Sequence, residues 1–335
     1  MQPTTQTLRP FQTLDAMRGI AAFAVVCFHL RPGWFPSAYL AVDLFFILSG
    51  FVLAHAYGRK FDDGLSWTAF MKARVVRLWP LNALAVAMMC VDQGVAGKLH
   101  ATIALPQFFF VPVLGTTSEP LYPMNIPAWS LLFEMIVNFA WAVGWAFLRL
   151  YWLPTMVGLA AIAFVSSIIA HGSADLGCNW QTSVFGLVRA AYGFTAGLGL
   201  YACRGPGRDR PSPRICGILL VALATILLIK PLLPLRVPYD VIVTLGAAPL
   251  LVWLAAKFEP SEMGARIFST LGTLSYPLYA IHWPLLQITE ELTERYHIAR
   301  AVEHAAYLFA LIPLALALGL TYDPWLRKRL LAIKF

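Results

Sequence analysis

Polar positions punctuate the chain at intervals that leave apolar runs of about 20 residues, the length that crosses a bilayer core of roughly 30 Å as a helix. Reading the runs between these breaks predicts ten spans: 14–31, 38–57, 75–95, 128–148, 152–170, 183–203, 215–229, 238–256, 266–288 and 301–320. Within a membrane every backbone polar group has to be satisfied inside the segment, so each run is expected to be helical. The stretch 101–114 is apolar but short and carries Pro106 and Pro112, which predicts a re-entrant or interfacial segment instead of an eleventh crossing. The expected architecture is an all-α polytopic membrane protein forming a single integral membrane domain over residues 1–335. No repeat of fixed period or long polar linker divides it.

Composition strengthens this picture. The 335 residues are 59% hydrophobic and 13% charged, against about a quarter charged in soluble domains. The net charge of +8 does not gather on one polar face as nucleic-acid binding would need; it is distributed in short clusters between the apolar runs. Assigning the 25 lysines and arginines to alternating sides puts eighteen with the two termini and six on the other side, with Arg189 inside a span. Cytoplasmic loops collect such residues, so both termini are expected in the cytoplasm. The run Gly19 to Leu30 follows Arg9 and Arg18 like a secretory signal core, but Asp15 interrupts the basic start and no small-residue cleavage site follows. It is therefore counted as the first span. The five cysteines, Cys27, Cys90, Cys178, Cys203 and Cys216, have neither disulfide-framework nor zinc spacing, and no metal is expected.

An ionised side chain inside a bilayer costs at least a few kcal/mol, so such residues are functional candidates. Arg18 and His29 lie eleven positions apart, within about 20° on one helix face and separated by roughly 16 Å of rise. Histidine titrates near neutrality and commonly takes the proton from a hydroxyl. Membrane anchoring by Arg18 and an interfacial role for His29 are the alternatives. Glu134 falls about 7 Å inside the fourth span, where a carboxylate needs a partner. It is expected either to orient His29 or to join two helices structurally. Asp43, at the outer start of the second span, is within reach of either group or acts as a helix N-terminal acid. Arg74 and Arg77 share a helix face at i, i+3 and could grip phosphate, or mark orientation. Ser275, Tyr279 and His282 form an i, i+4, i+7 polar stripe that either lines a cavity or packs between helices. Arg189, with Tyr192, Gly197 and Gly199 following, is expected to meet a carboxylate such as Glu134 or an anionic ligand, or to form a structural salt bridge.

Taken together, four segments resemble the acyltransferase 3 family of bacterial membrane acyltransferases. Leu14-Asp15-Ala16-Met17-Arg18-Gly19 running on to His29 is similar to that family's arginine, ten residues, histidine signature. Val42-Asp43-Leu44-Phe45-Phe46-Ile47-Leu48-Ser49-Gly50-Phe51 is followed by Arg74-Val75-Val76-Arg77-Leu78-Trp79-Pro80, which looks like its cytoplasmic arginine pair before a proline. Pro127-Ala128-Trp129-Ser130 through Glu134 and Leu274-Ser275-Tyr276-Pro277 through Pro284 complete the set. Asn138-Phe139 departs from the Phe-Tyr that many members carry after the glutamate, and with no room for the C-terminal hydrolase-like domain of some relatives, a standalone member is expected. The resemblance implies acyl-CoA, usually acetyl-CoA, as co-substrate from the cytoplasm and a saccharide acceptor from the opposite face. It implies His29, supported by Glu134, as the base, and Arg74 and Arg77 as CoA-phosphate ligands. Arg18 would neutralise CoA or hold the acyl carbonyl, and Asp43, Arg189, Tyr279 and His282 would contact substrate. The rival class is a secondary transporter, which uses polar stripes and broken helices but often shows paired halves, and no such pairing is found.

Overall fold

The structure is a computed structural model that describes residues 11–115, 118–145, 152–204 and 210–333. Thirteen helices occur among the described residues: α1 (Gln12–Leu30), α2 (Ala41–Asp62), α3 (Trp67–Val95), α4 (Ala101–Phe108), α5 (Ala128–Gly144), α6 (Leu153–His171), α7 (Ser183–Ala202), α8 (Pro213–Leu228), α9 (Arg236–Ile242), α10 (Ala248–Ala255), α11 (Glu262–Arg295), α12 (Arg300–Leu320) and α13 (Tyr322–Ala332). Among the described residues seven helices, some prolonged by an adjoining turn or helix, are long and apolar enough to cross a membrane. α5 and α8 are shorter apolar helices of 17 and 16 residues. Each of the ten expected spans overlaps helix. The end of the expected fourth span, residues 146–148, lies outside the described residues, as do Arg9, Arg149, Arg208 and Lys334 of the charge count.

Two local features were not expected. α3 starts at Trp67, eight residues before the expected span, because Ser66 caps it by accepting from the Ala69 amide at 3.2 Å. Its basic first turns therefore continue the helix that carries Arg74 and Arg77. α9 and α10 are joined by a π-helical turn, Val243–Ala247. A parallel pairing of Arg210–Pro211 with Phe258–Glu259, two residues each, adds a short two-stranded clip to the helices. That clip is tied to the start of α1, where the Thr13 hydroxyl donates to the Phe258 carbonyl at 2.6 Å and the Gln12 amide to Glu259 Oε2 at 3.1 Å.

Two parallel helix pairs form the centre. α1 lies along α11 and α2 along α7. Both contacts depend on glycine at the crossing: a Cβ on Gly19 would come within 2.5 Å of the Leu271 carbonyl oxygen, and Cβ atoms on Gly50 and Gly197 would overlap the carbonyls of Phe194 and Ile47. Helices in lipid associate by such close packing because lipid tails provide no hydrophobic drive between them. Leu159 and Ile162 on α6, Ile218 and Val221 on α8 and Phe309 on α12 are exposed, an apolar periphery suited to lipid.

α4 folds back against the middle of α3, where the Trp79 ring N–H donates to the Phe108 carbonyl at 2.8 Å and Asn82 Nδ2 to the Gln107 carbonyl at 3.0 Å. Pro284 cannot donate to the Ala280 carbonyl four residues back; Asn125 Nδ2 supplies that bond at 3.2 Å. Helix α11 is thereby fixed next to the loop that leads into α5.

Candidate active site

The five helices α1, α2, α3, α5 and α11 enclose a cavity of about 300 Å³. Arg18, Arg74, Arg77, Glu134, Ser49, Ser130, Ser275 and Tyr279 line it, with Phe45, Leu48 and Leu131 among its apolar walls. Three guanidinium groups face one carboxylate, so the chamber favours an anion.

Each polar side chain is held by a different element. Glu134, on the second turn of α5, accepts from Arg74 Nη2 at 2.5 Å and from the Ser49 hydroxyl at 2.7 Å. Arg77 lies one turn further along α3, where Asp323 of α13 is 3.9 Å away and the Tyr276 ring lies beneath it, centroid at 5.7 Å. Tyr276 in turn donates its hydroxyl to the Leu78 carbonyl. Arg18 is 3.5 Å from Asp15, one turn earlier on α1. The Tyr279 and Ser130 hydroxyls bond to each other at 2.7 Å, and the tyrosine also donates to the Pro127 carbonyl at 3.0 Å.

Of the two roles expected of Glu134, the one seen is to join helices, not to orient His29. His29 is not among the residues lining the cavity, and the carboxylate goes to Arg74, since in a low-dielectric interior a hydrogen-bonded guanidinium is its strongest partner. His29 meets another imidazole: its Nδ1 is 3.1 Å from His282 Nε2 and 3.0 Å from the Val25 carbonyl. His282 is fully buried behind Tyr279, with ring centroids 5.9 Å apart. Of the α11 stripe, Ser275 and Tyr279 line the cavity, whereas His282 turns to His29.

Arg189 and Asp43 form a salt bridge with each other, the structural alternative for the arginine, with Asp43 as the carboxylate. Neither lines the cavity. Arg189 is fully buried and binds Asp43 through two bonds, Nε to Oδ1 at 3.1 Å and Nη2 to Oδ2 at 2.8 Å, and donates to the carbonyls of Leu176 and Tyr39. All the charge and most of the donors are consumed inside the α2–α7 interface. Asp240 was not singled out in the sequence: it is buried and accepts from the Tyr39 hydroxyl at 2.7 Å and the Ala174 amide at 2.7 Å. A carboxylate within an apolar run was the available signal. In the adjoining loop, burial raises the Asp175 carboxyl above the ordinary carboxylate range, against the opposing pull of Arg189 and Arg236. The partner of Ser49 was also not readable in the sequence, because its carboxylate comes from a different helix.

Among the described residues no group of three or more His, Cys, Asp or Glu side chains converges as a metal site. The profile of a family described as an acyltransferase domain matches residues 11–322. The chain belongs to the acyltransferase 3 family. A Rhizobium radiobacter relative, "Protein 2 in picA locus", is 39% identical over 183 residues, covering 48% of this chain and 94% of that protein. A Staphylococcus aureus relative whose name proposes an O-acetyltransferase is 23% identical over 216 residues, 55% of this chain and 35% of that protein. The chain thus matches about a third of the length of that relative. A Bacillus subtilis relative whose name proposes a peptidoglycan O-acetyltransferase is 34% identical over 90 residues, 26% of this chain and 14% of that protein. No solved structure matches. All four segments that carry the resemblance fall within the matched acyltransferase domain, so the arginine-lined cavity is enclosed by the family's own region of this acyltransferase.

Proposed function

We propose that the protein is an inner-membrane O-acetyltransferase that moves an acetyl group from acetyl-CoA to a hydroxyl of a cell-surface saccharide or its lipid-linked precursor. The observation that carries this reading is the cavity itself: three guanidiniums and one carboxylate enclosed by five helices, joined through Tyr279 and His282 to His29. The names of the Staphylococcus and Bacillus relatives support O-acetylation. The chain would cross the membrane ten times, with α5, α8 and α11 added to the seven long apolar spans, and with both termini in the cytoplasm. α1 then starts on the cytoplasmic side and reaches His29 at its outer end.

CoA would enter from the side of Arg74 and Arg77, with Arg77 and Arg18 taking phosphate oxygens and Glu134 holding Arg74 in place. Arginine suits this role because its planar donors match phosphate oxygens. The acceptor would approach His29 from the opposite face. Its hydroxyl oxygen attacks the thioester carbonyl, forming the C–O ester bond and breaking the C–S bond. The hydroxyl proton passes to His29 and then to the departing thiolate, giving free CoA thiol. A positioned base of this kind contributes about 10²–10⁴ in rate.

The test uses protein reconstituted in vesicles with labelled acetyl-CoA, together with mass analysis of the surface polysaccharide from cells with and without the protein. His29→Ala is expected to insert normally and to transfer no acetyl group. Full transfer by that variant would remove the base assignment, and an unchanged polysaccharide mass on loss of the protein would remove the acceptor class.

A further inference from the structure

The protons on the two facing imidazoles are fixed by their surroundings. His282 Nδ1 lies 2.8 Å from the Tyr279 carbonyl and 3.1 Å from the Leu278 carbonyl. A carbonyl only accepts, so this nitrogen carries hydrogen. In neutral His282 the other nitrogen, Nε2, is then a bare lone pair, and it points at His29 Nδ1. That atom therefore faces two acceptors, the Val25 carbonyl and the His282 lone pair, and must itself be an N–H. By elimination the lone pair of His29 is on Nε2. His29 is only partly buried, and its Nε2 has no hydrogen-bond partner among the described residues. The rings of Phe28 and Trp283 bracket it edge-on, with centroids at 5.4 and 5.3 Å.

From this geometry we infer that His282 is the positioning partner of His29: its Nε2 accepts the His29 Nδ1 hydrogen, aims the His29 Nε2 lone pair toward the acceptor hydroxyl, and shares the charge when that proton arrives. A histidine base commonly relies on a carboxylate for this task. Here the carboxylate is already bound to Arg74 and Ser49, and an imidazole takes its place. The pair does not pass the proton onward, because His282 Nδ1 ends on main-chain carbonyls. His282 is itself immobilised, since it is fully buried and Tyr307 donates its hydroxyl to the His282 carbonyl at 2.9 Å.

The inference rests on His29 being the base, and the experiment separates the two. Nitrogen NMR of histidine-labelled wild-type protein in detergent reads the tautomers without reference to activity. Both His29 and His282 are expected as Nδ1–H forms, with a coupling across the N–H···N bond that disappears in His282→Ala. A bare Nδ1 on either ring, or no coupling, overturns the inference whether or not the enzyme is active. In turnover, His282→Ala should lower kcat about 10- to 100-fold at unchanged KM for acetyl-CoA, the range typical when a partner orienting a metal-bound imidazole is lost. His282→Gln, whose side-chain oxygen can accept the same hydrogen, should recover most of the loss. Wild-type kcat in His282→Ala, or a Gln variant no better than Ala when both are folded, also overturns it. If His29→Ala retains transfer, the base assignment fails while the tautomer result stands by itself.

Discussion

Replacing Glu134 decides whether this carboxylate serves Arg74 or His29. Charges about 4 Å apart attract by roughly 4 kcal/mol at an effective dielectric of about 20. The Arg74 and Glu134 side chains are 12% and 17% exposed, so part of that attraction is offset by water and part by the desolvation of both groups. A net coupling of about 2 kcal/mol remains, equivalent to about a 30-fold change in an equilibrium constant. The assay is a double-mutant cycle on reversible unfolding in mixed micelles, with Glu134→Gln, Arg74→Ala and the double variant. Each single change is expected to destabilise by about 2–3 kcal/mol, because it leaves a buried partner charge unmatched, and the double variant by much less than the sum. The same Glu134→Gln protein should bind desulfo-CoA at least as tightly as wild type, since it removes the one negative charge lining the cavity that would receive the phosphates. Additive stability effects of the two changes, combined with strong coupling between Glu134→Gln and His29→Ala, would refute this reasoning and return Glu134 to the histidine.

Other perturbations test the frame around the cavity. Gly197→Ala should destabilise the fold by about 1–3 kcal/mol, seen as a lower unfolding midpoint, because its Cβ has no room beside the Ile47 carbonyl. Asp43→Ala should cost about 3–5 kcal/mol by leaving Arg189 buried and unpaired, and the protein that remains folded should bind desulfo-CoA as wild type does. Tyr279→Phe should lose about 1 kcal/mol of stability with its bonds to Ser130 and Pro127, and calorimetric unfolding against wild type checks this.

The helices were legible because a membrane imposes one rule on the whole chain: apolar length and internally satisfied backbone. The shortness of α4, eight residues within 101–114, was legible for the same reason, since Pro106 and insufficient apolar length argued against a long helix there. Arg18, Arg74, Arg77 and Glu134 each stood out as a charge in or beside an apolar run, but their assembly around one cavity did not. Partner choice was not. Position along a helix does not reveal which neighbour stands opposite, and α2 pairs with α7 while α11 pairs with α1, elements separated by more than a hundred residues. Hence Glu134 found Arg74, Arg189 found Asp43, and His29 found His282. The i, i+4, i+7 stripe on α11 was visible in sequence, but its division between the cavity and the imidazole pair depends on small rotations that only the packed bundle defines.

The arginines in or near the membrane differ in how completely they are neutralised, and this ranks their expected effects. Arg189 has two bonds to Asp43 and two to carbonyls, which leaves it little to offer a ligand. Arg74 shares its charge with Glu134 at 2.5 Å. Arg77 and Arg18 have acidic neighbours only at 3.9 and 3.5 Å and line the cavity, so they retain more of their charge for an incoming anion. A hydrogen bond to a charged group is worth about 1.5–3 kcal/mol, or roughly 10- to 150-fold in affinity. Arg77→Ala is therefore expected to weaken desulfo-CoA binding within that range, measured by calorimetry on detergent-solubilised protein, and Arg189→Met to lower stability with little effect on affinity. Equal losses of affinity in these two variants would mean that the cavity is not where the CoA phosphates bind, because only one of the two guanidiniums reaches it.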